Sequence, residues 1–272
     1  MNQTDSFVIV NGKKININRA DNSLSFRSLN VEDLSRVQGL DSLRSLRSLD
    51  IGGIGISEIK CINTLINLRW LKISGNRLTE IKGLEDLEYL EKLILDSNQI
   101  SEISGLKDLI NLKVLSIGYN YISKLEGLDS LVKLQILFLG GNQIVEIEGL
   151  DELIDLRELD LSYNKILEIK NLESLTNLEI LRLKGNQIAE IKGLEQLFNL
   201  KSLSLSANNI TEVKGLHNLR RLNYLFLNDN YIIEVNGIKG LNSLHHLNLQ
   251  GNPLSPTAVF LSKNQYPNLI QL

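Results

Sequence analysis

The sequence predicts an α/β fold: a right-handed, horseshoe-shaped solenoid with about eleven short parallel strands on its concave face, closed by an N-terminal β-hairpin and a C-terminal helical cap. Three observations carry that expectation. Asparagine recurs at Asn76, Asn98, Asn120, Asn142, Asn164, Asn186, Asn208, Asn230 and Asn252, a period of 22 residues with no insertion. Two aliphatic residues precede each one in alternation, as Leu71 and Ile73 precede Asn76 and Leu247 and Leu249 precede Asn252. Aromatic residues make up only 5% of the chain against 43% hydrophobic residues, which points to a core of Leu and Ile built from a small repeated unit.

The alternation of the two aliphatics is a short strand, one side chain in and the next out. After the Asn, aliphatics follow two and five residues on, usually with Gly-Leu behind them, as in the run NRLTEIKGLEDL that starts at Asn76. These residues turn the chain back over the same core. One unit cannot bury its own leucine face, so units must stack, and each buried Leu is worth roughly 1.5–3 kcal/mol against exposure. The Asn faces inward at the turn after the strand, where its amide can bond backbone groups of its own and adjacent coils. One period before Asn76, Leu49 and Ile51 keep the frame but Ile54 stands where Asn belongs. One period further back, Leu29, Leu34, Val37, Gly39 and Leu40 fit more loosely. The chain therefore reads as ten clear units and one degraded N-terminal unit. A coiled coil or an array of helical hairpins does not produce this spacing.

The ends read as caps. Phe7–Val10, then Asn11-Gly12, then Lys13–Ile17 is a β-hairpin pattern, with Asn-Gly supplying a type I′ turn. After Asn252-Pro253-Leu254, Ser255-Pro256 is a helix N-cap followed by Pro at the first helical position. Thr257–Lys263, with Val259, Phe260 and Leu261, should then form a short helix. The expected organisation is a hairpin cap over 1–23, the solenoid over 24–254 and a C-terminal cap over 255–272.

Composition excludes several classes of function. The 29 basic and 32 acidic residues leave a net charge of −3, which does not favour a nucleic-acid-binding surface. Cys61 is the sole cysteine, so no intrachain disulfide can form, and a reducing, intracellular compartment is expected. Met1–Lys14 holds no apolar stretch of the signal-peptide kind, and no run approaches the roughly 18 apolar residues of a membrane span. Together these lead us to expect a cytoplasmic, monomeric protein. The sequons at Asn2 and Asn209 are then without consequence.

The unit L-x-x-L-x-x-L-x-L-x-x-N-x-I-x-x-I-x-G-L resembles the 22-residue subclass of leucine-rich repeats. That subclass is typified by the leucine-rich regulatory subunit of protein phosphatase type 1, and internalins carry a related repeat. The resemblance covers about residues 24–272. Pro267-x-Leu269-x-x-Leu272 is also similar to the C-terminal cap of intracellular members, without their Tyr-Arg in the helix or an Asp after Leu272. A hairpin stands where internalins have a helical cap. The resemblance implies a non-catalytic scaffold or regulator.

Strand alternation identifies the residues that face a partner. Positions six, four and two before each Asn point away from the core. On them Ile94, Val114, Ile136 and Phe138 form one apolar cluster, and Tyr224 and Phe226 a second. Trp70, the chain's one tryptophan, also points outward, beside Lys72. Between the clusters Glu158 and Asp160 give way to Arg182 and Lys184, a change of sign that could set register. Contiguous exposed apolar surface marks binding sites, and Trp and Tyr are favoured anchors. Strand propensity alone would also place β-branched and aromatic residues here. Tyr119 and Tyr163, each just before an Asn, could extend the surface along one rim. Eleven strands at about 4.8 Å spacing give an arc on the order of 50 Å, enough for a folded domain.

No catalytic, cofactor or metal site is expected. His217 falls on the back of the solenoid, and the adjacent His245 and His246 point in different directions. Cys61 stands at a position that most other units fill with Gly. Gly52–Ser57 lacks the Lys-Ser/Thr of a phosphate loop. The expected function is a non-catalytic scaffold that binds a folded protein on its concave face. The alternatives are a regulatory subunit of a Ser/Thr phosphatase, a self-associating or idealised repeat protein with no ligand, and an exported adhesion or effector protein.

Overall fold

Asn11 and Gly12 turn the chain as their residue types dictate, with φ of 48° and 75°. In a computed structural model, which describes residues 7–259 and 270–271, β1 (Phe7–Val10) and β2 (Lys13–Asn16) pair antiparallel across that turn. Val8 and Val10 are buried. Ile9 exchanges two backbone hydrogen bonds of 3.1 Å with Gln38, which ties the hairpin to the first coil.

The chain divides into two units, Met1–Ile136 and Leu137–Leu272. In the first, β3 (Ser23–Ser25), β4 (Ser48–Asp50), β5 (Trp70–Lys72), β6 (Lys92–Ile94) and β7 (Val114–Ser116) are parallel and follow chain order. Their central leucines, Leu24, Leu49, Leu71, Leu93 and Leu115, are in line and buried. The spacing from Ser23 to Ser48 exceeds the period of 22. This longer first coil holds two 3₁₀ turns, Leu34–Arg36 and Leu40–Ser42, the first capped by the Asp33 carboxylate on Ser35 N–H.

β8 (Ile136–Phe138) straddles the division. The second unit continues with β9 (Glu158–Asp160), β10 (Ile180–Arg182), β11 (Ser202–Ser204), β12 (Tyr224–Phe226), β13 (His246–Asn248) and β14 (Ile270–Gln271). From β9 to β14 the strands are parallel, with Leu159, Leu181, Leu203, Leu225, Leu247 and Ile270 aligned. The fold is thus a parallel-strand solenoid. Among the described residues the strands are close to the about eleven expected, with β14 of the C-terminal segment added. Ser255 caps a helical turn at 256–259, its Oγ accepting from Ala258 N–H at 3.0 Å. The rest of the expected cap, Phe260 to Lys263 together with Pro267, Leu269 and Leu272, lies outside the described residues.

The backs of the coils are turns rather than helices. Leu87 N–H bonds Leu84 O at 3.0 Å and Leu90 N–H bonds Leu87 O at 2.9 Å, so a leucine turns inward at every third residue. Close stacking then demands glycine at one position. Gly105 has φ +69°, and a Cβ there would lie 2.0 Å from Ile81 O of the previous coil. Cys61 and Asn171 hold the same repeat position at φ of 60° and 56°.

The asparagines bind backward along the chain. Asn76 Oδ1 accepts from the N–H groups of Ile54, Gly55 and Ile56 at 3.1, 2.9 and 3.2 Å, and its Nδ2 donates to Ile51 O and Ile73 O, both at 3.0 Å. Asn98 repeats this on Leu78 N–H and on Ile73 and Leu95 O. The series runs to Asn252, which takes Ile232 N–H, Leu227 O and Leu249 O. Where Ile54 interrupts the series, backbone replaces the amide. Val31 and Glu32 N–H groups donate to Ile54 O at 2.9 and 3.1 Å, with Glu32 at φ 58°, and the Ile54 side chain fills the core.

Candidate functional site

Each three-residue strand has an inward central leucine and two outward neighbours, so the expected partner-facing residues all lie on or next to the sheet's outer face. They are less open than alternation alone implies. Trp70, Lys72, Ile94 and Val114 in the first unit are half-buried, as is Ile136 at its end. In the second unit Phe138, Glu158, Asp160, Arg182, Lys184 and Phe226 are half-buried, and Tyr224 is 48% exposed. Some outward positions are buried outright: Asp50, Ser116, Ser162 and Ser206. Strands this close together shade one another's side chains, and short polar groups are covered first.

In the first unit, Lys92 stands opposite both Trp70 and Val114, and Lys72 stands opposite Ile94. Ile94 and Val114 are therefore diagonal neighbours on one face. Ile136 follows next, its N–H on Lys113 O at 3.0 Å. Phe138 belongs to the other unit.

In the second unit the aromatics gather around a residue the sequence reading had set aside. The His246 ring lies 5.1 Å from that of Phe226 and 6.5 Å from that of Tyr224, tilted to both. β12 and β13 pair in register, so Tyr224 stands opposite His246 and Phe226 opposite Asn248. The signal was present in the sequence, since His246 is one period after Tyr224.

The change of charge sign between β9 and β10 is largely satisfied within the chain. Glu158 and Arg182 form an ion pair. Asp160 Oδ1 accepts from Ser162 N–H at 2.8 Å. Lys184 Nζ sits 5.5 Å from the centre of the Tyr163 ring. The Tyr163 hydroxyl beside it, with Asp229 further off, holds the Lys184 ammonium above its usual pKa.

Off the strands stands a row of exposed apolar side chains that the sequence reading missed. Ten residues before the ladder asparagines stand Ile66, Ile110 and Val132 in the first unit and Ile154 and Phe198 in the second, all exposed. Their signal was an aliphatic recurring where the repeat asks only for a polar residue. One residue further on, Asn67, Asn111, Asn177 and Asn199 form a second, outer ladder, Asn67 and Asn177 exposed and Asn111 and Asn199 half-buried. Each donates to a carbonyl of the previous coil, at 2.8–2.9 Å. Tyr119 and Tyr163 are exposed at left-handed φ of 54° and 55°.

Cys61 and His217 are exposed. Among the described residues no group of His, Cys, Asp and Glu side chains is placed to hold a metal ion, and no helix is long and apolar enough to cross a membrane.

The chain matches a family model for leucine-rich repeats (2 copies) over residues 66–108, 110–152 and 154–196, and a second leucine-rich-repeat model over 198–254. Among solved structures it is similar to an internalin from Listeria monocytogenes, at 23% identity and TM-score 0.73, over 91% of this chain and 79% of that one. It is similar also to a leucine-rich-repeat protein from Leptospira interrogans, at 24% and 0.70, over 86% and 74%. A third likeness is to a chain in the octameric complex of latrophilin 3, Unc5D and the leucine-rich repeats of FLRT2, at 22% and 0.77, over 91% and 82%. At these identities the likeness is one of fold. No curated protein sequence matches the chain. The expected kinship with a phosphatase regulatory subunit draws no support from these matches.

Proposed function

Because the chain belongs to the leucine-rich-repeat family, we propose that it is a non-catalytic interaction module that holds a folded protein against the outer face of its strands. One observation carries this reading: the cluster of Tyr224, Phe226 and His246, with Tyr224 48% exposed. Contiguous exposed rings are a surface that a partner can cover, and amphipathic rings are the side chains that anchor interfaces. The phosphatase-regulator version would call on acidic and aromatic residues of the same face. Glu158 is engaged by Arg182, so the broader reading is preferred. The sole cysteine, Cys61, suits a reducing compartment.

The test is affinity capture with cross-linking from source lysate. The native chain is compared with a Tyr224→Ala/Phe226→Asp variant and with a control changed on the exposed Glu212–Lys214 pair, Glu212→Gln. The reading expects one set of proteins recovered by native chain and control and lost from the double variant. Identical recovery by all three would sink it.

A further inference from the structure

The overall charge of −3 hides a local excess of the opposite sign on the first unit. On the strands at and beside Trp70 lie Arg47, Arg69, Lys72 and Lys92. Trp70 and Arg69 N–H groups both donate to Arg47 O, at 3.0 and 2.8 Å, which sets Arg47 beside Arg69 on the adjoining coil. Lys92 stands opposite Trp70, and Lys72 is two residues along the same strand, so the two lysines are diagonal neighbours flanking the indole.

Of the nearby carboxylates two have cationic partners and the third accepts from neutral groups. Asp50 is 3.5 Å from Arg27 and accepts from Gly52 N–H. Glu91 is shared between Arg69 and Lys113. Asp96 accepts from Ser116 Oγ at 2.6 Å and from Gly118 N–H at 2.7 Å. Arg47, Lys72 and Lys92 have no ion pair among the described residues. Lys72 and Lys92 thus flank a half-buried Trp, with Arg47 at the end of the adjoining strand, where Asp50 and Glu91 already have cationic partners. Like charges so close repel unless a counter-charge arrives, and Trp beside Arg is the composition of interface anchors.

We propose that this face of the first unit docks a carboxylate-rich peptide segment of a protein partner. Its acidic side chains meet Arg47, Lys72 and Lys92, and one apolar side chain covers Trp70. The inference rests on the reading of the chain as an interaction module and adds the charge of the partner and the place it sits.

Trp70 is the chain's one tryptophan, so its emission reports on this site alone. The experiment titrates the full chain with a short peptide of glutamates around a single leucine. A lysine peptide of the same pattern and a single-stranded RNA of matched charge are run in parallel. The expected result is a saturable change in emission with the acidic peptide only, weakening as salt is added. A Lys72→Gln/Lys92→Gln variant, checked as folded by circular dichroism, should bind about tenfold more weakly, as expected of two lost charge contacts on an exposed face. Glu212→Gln, on the exposed pair with Lys214, should bind as the native chain does. No change in emission, an equal response to the lysine peptide, tighter binding of the RNA, or unchanged affinity in the lysine variant would each overturn the proposal. So would a solution mass showing that a second copy of the chain already occupies the face. Because the probe is a defined peptide, its failure leaves the capture experiment standing, and a failed capture leaves this result readable.

Discussion

Asn164 Nδ2 donates to Leu139 O, 3.1 Å away and one coil earlier, while Asn164 Oδ1 takes Ile144 N–H at 3.0 Å. The same amide also serves Leu161 O within its own coil. Replacing Asn164 with Leu keeps the bulk and strands these backbone groups in a dry core. The expected loss is on the order of 3 kcal/mol, since each buried unpaired group costs roughly 1–3 kcal/mol. Asn111→Ala, on the outer second ladder, should lose less than about 1 kcal/mol because water can reach the Glu88 carbonyl it leaves. Midpoints of urea unfolding compare the two, and equal losses would contradict the division of labour between the ladders.

Cys61 stands at φ 60° where most coils have Gly at positive φ. A non-glycine residue in that region costs roughly 1–2 kcal/mol. Cys61→Gly should therefore stabilise the protein by up to about 1 kcal/mol, after the extra freedom Gly gives the unfolded chain. Gly105→Ala is the converse. It should cost more than about 2 kcal/mol, because its methyl meets Ile81 O as well as the strained φ. Thermal unfolding reads both signs.

These positions also mark what the sequence could and could not convey. The period of 22 is written in residue types that admit one geometry, so the strands, the inward leucines and the asparagine turns were legible. The Gly-to-Cys exchange at Cys61 was legible as a departure, though not as strain, which needs the backbone angle. The extra length of the first coil was invisible because Leu29 and Leu34 fit the period loosely. Alternation gave the direction of the sheet-face residues but not their exposure, which depends on how neighbours at strand spacing cover one another. The pairing of Glu158 with Arg182 needed two side-chain conformations, and the Phe226–His246 contact needed a ring orientation. Neither is fixed by spacing.

Glu91 bridges Lys113 and Arg69, whose hydrogen bonds and charges hold its carboxyl below the usual glutamate range. A carboxyl with a depressed folded-state pKa contributes stability that is fully present above its unfolded value, about 4.3. That contribution is lost as pH falls through the folded value. Native protein should therefore lose more stability between neutral and strongly acidic pH than Glu91→Gln, and the two curves should converge in acid. Urea titrations across that range are the measurement. Parallel curves would mean the triad contributes nothing.

Thr64 Oγ1 and Ser74 Oγ are buried with no hydrogen-bond partner among the described residues. Thr64→Val removes the polar atom and keeps the branched shape. The expected gain is about 0.5–1 kcal/mol, part of the cost of an unmet hydroxyl. A lower melting temperature in the variant would show that the hydroxyl is serving a bond after all.

The backward direction of the asparagine bonds has a consequence for how the protein is made. An amide such as Asn98 or Asn230 finds its partners in its own coil and in the coil already synthesised, at Leu78 and Ile73 or at Ile210 and Leu205. None of these bonds waits for sequence still to come. A chain leaving the ribosome can thus lock each turn as its asparagine emerges, against the coil that precedes it. Growth by accretion in the direction of translation is built into which end of the amide faces which neighbour.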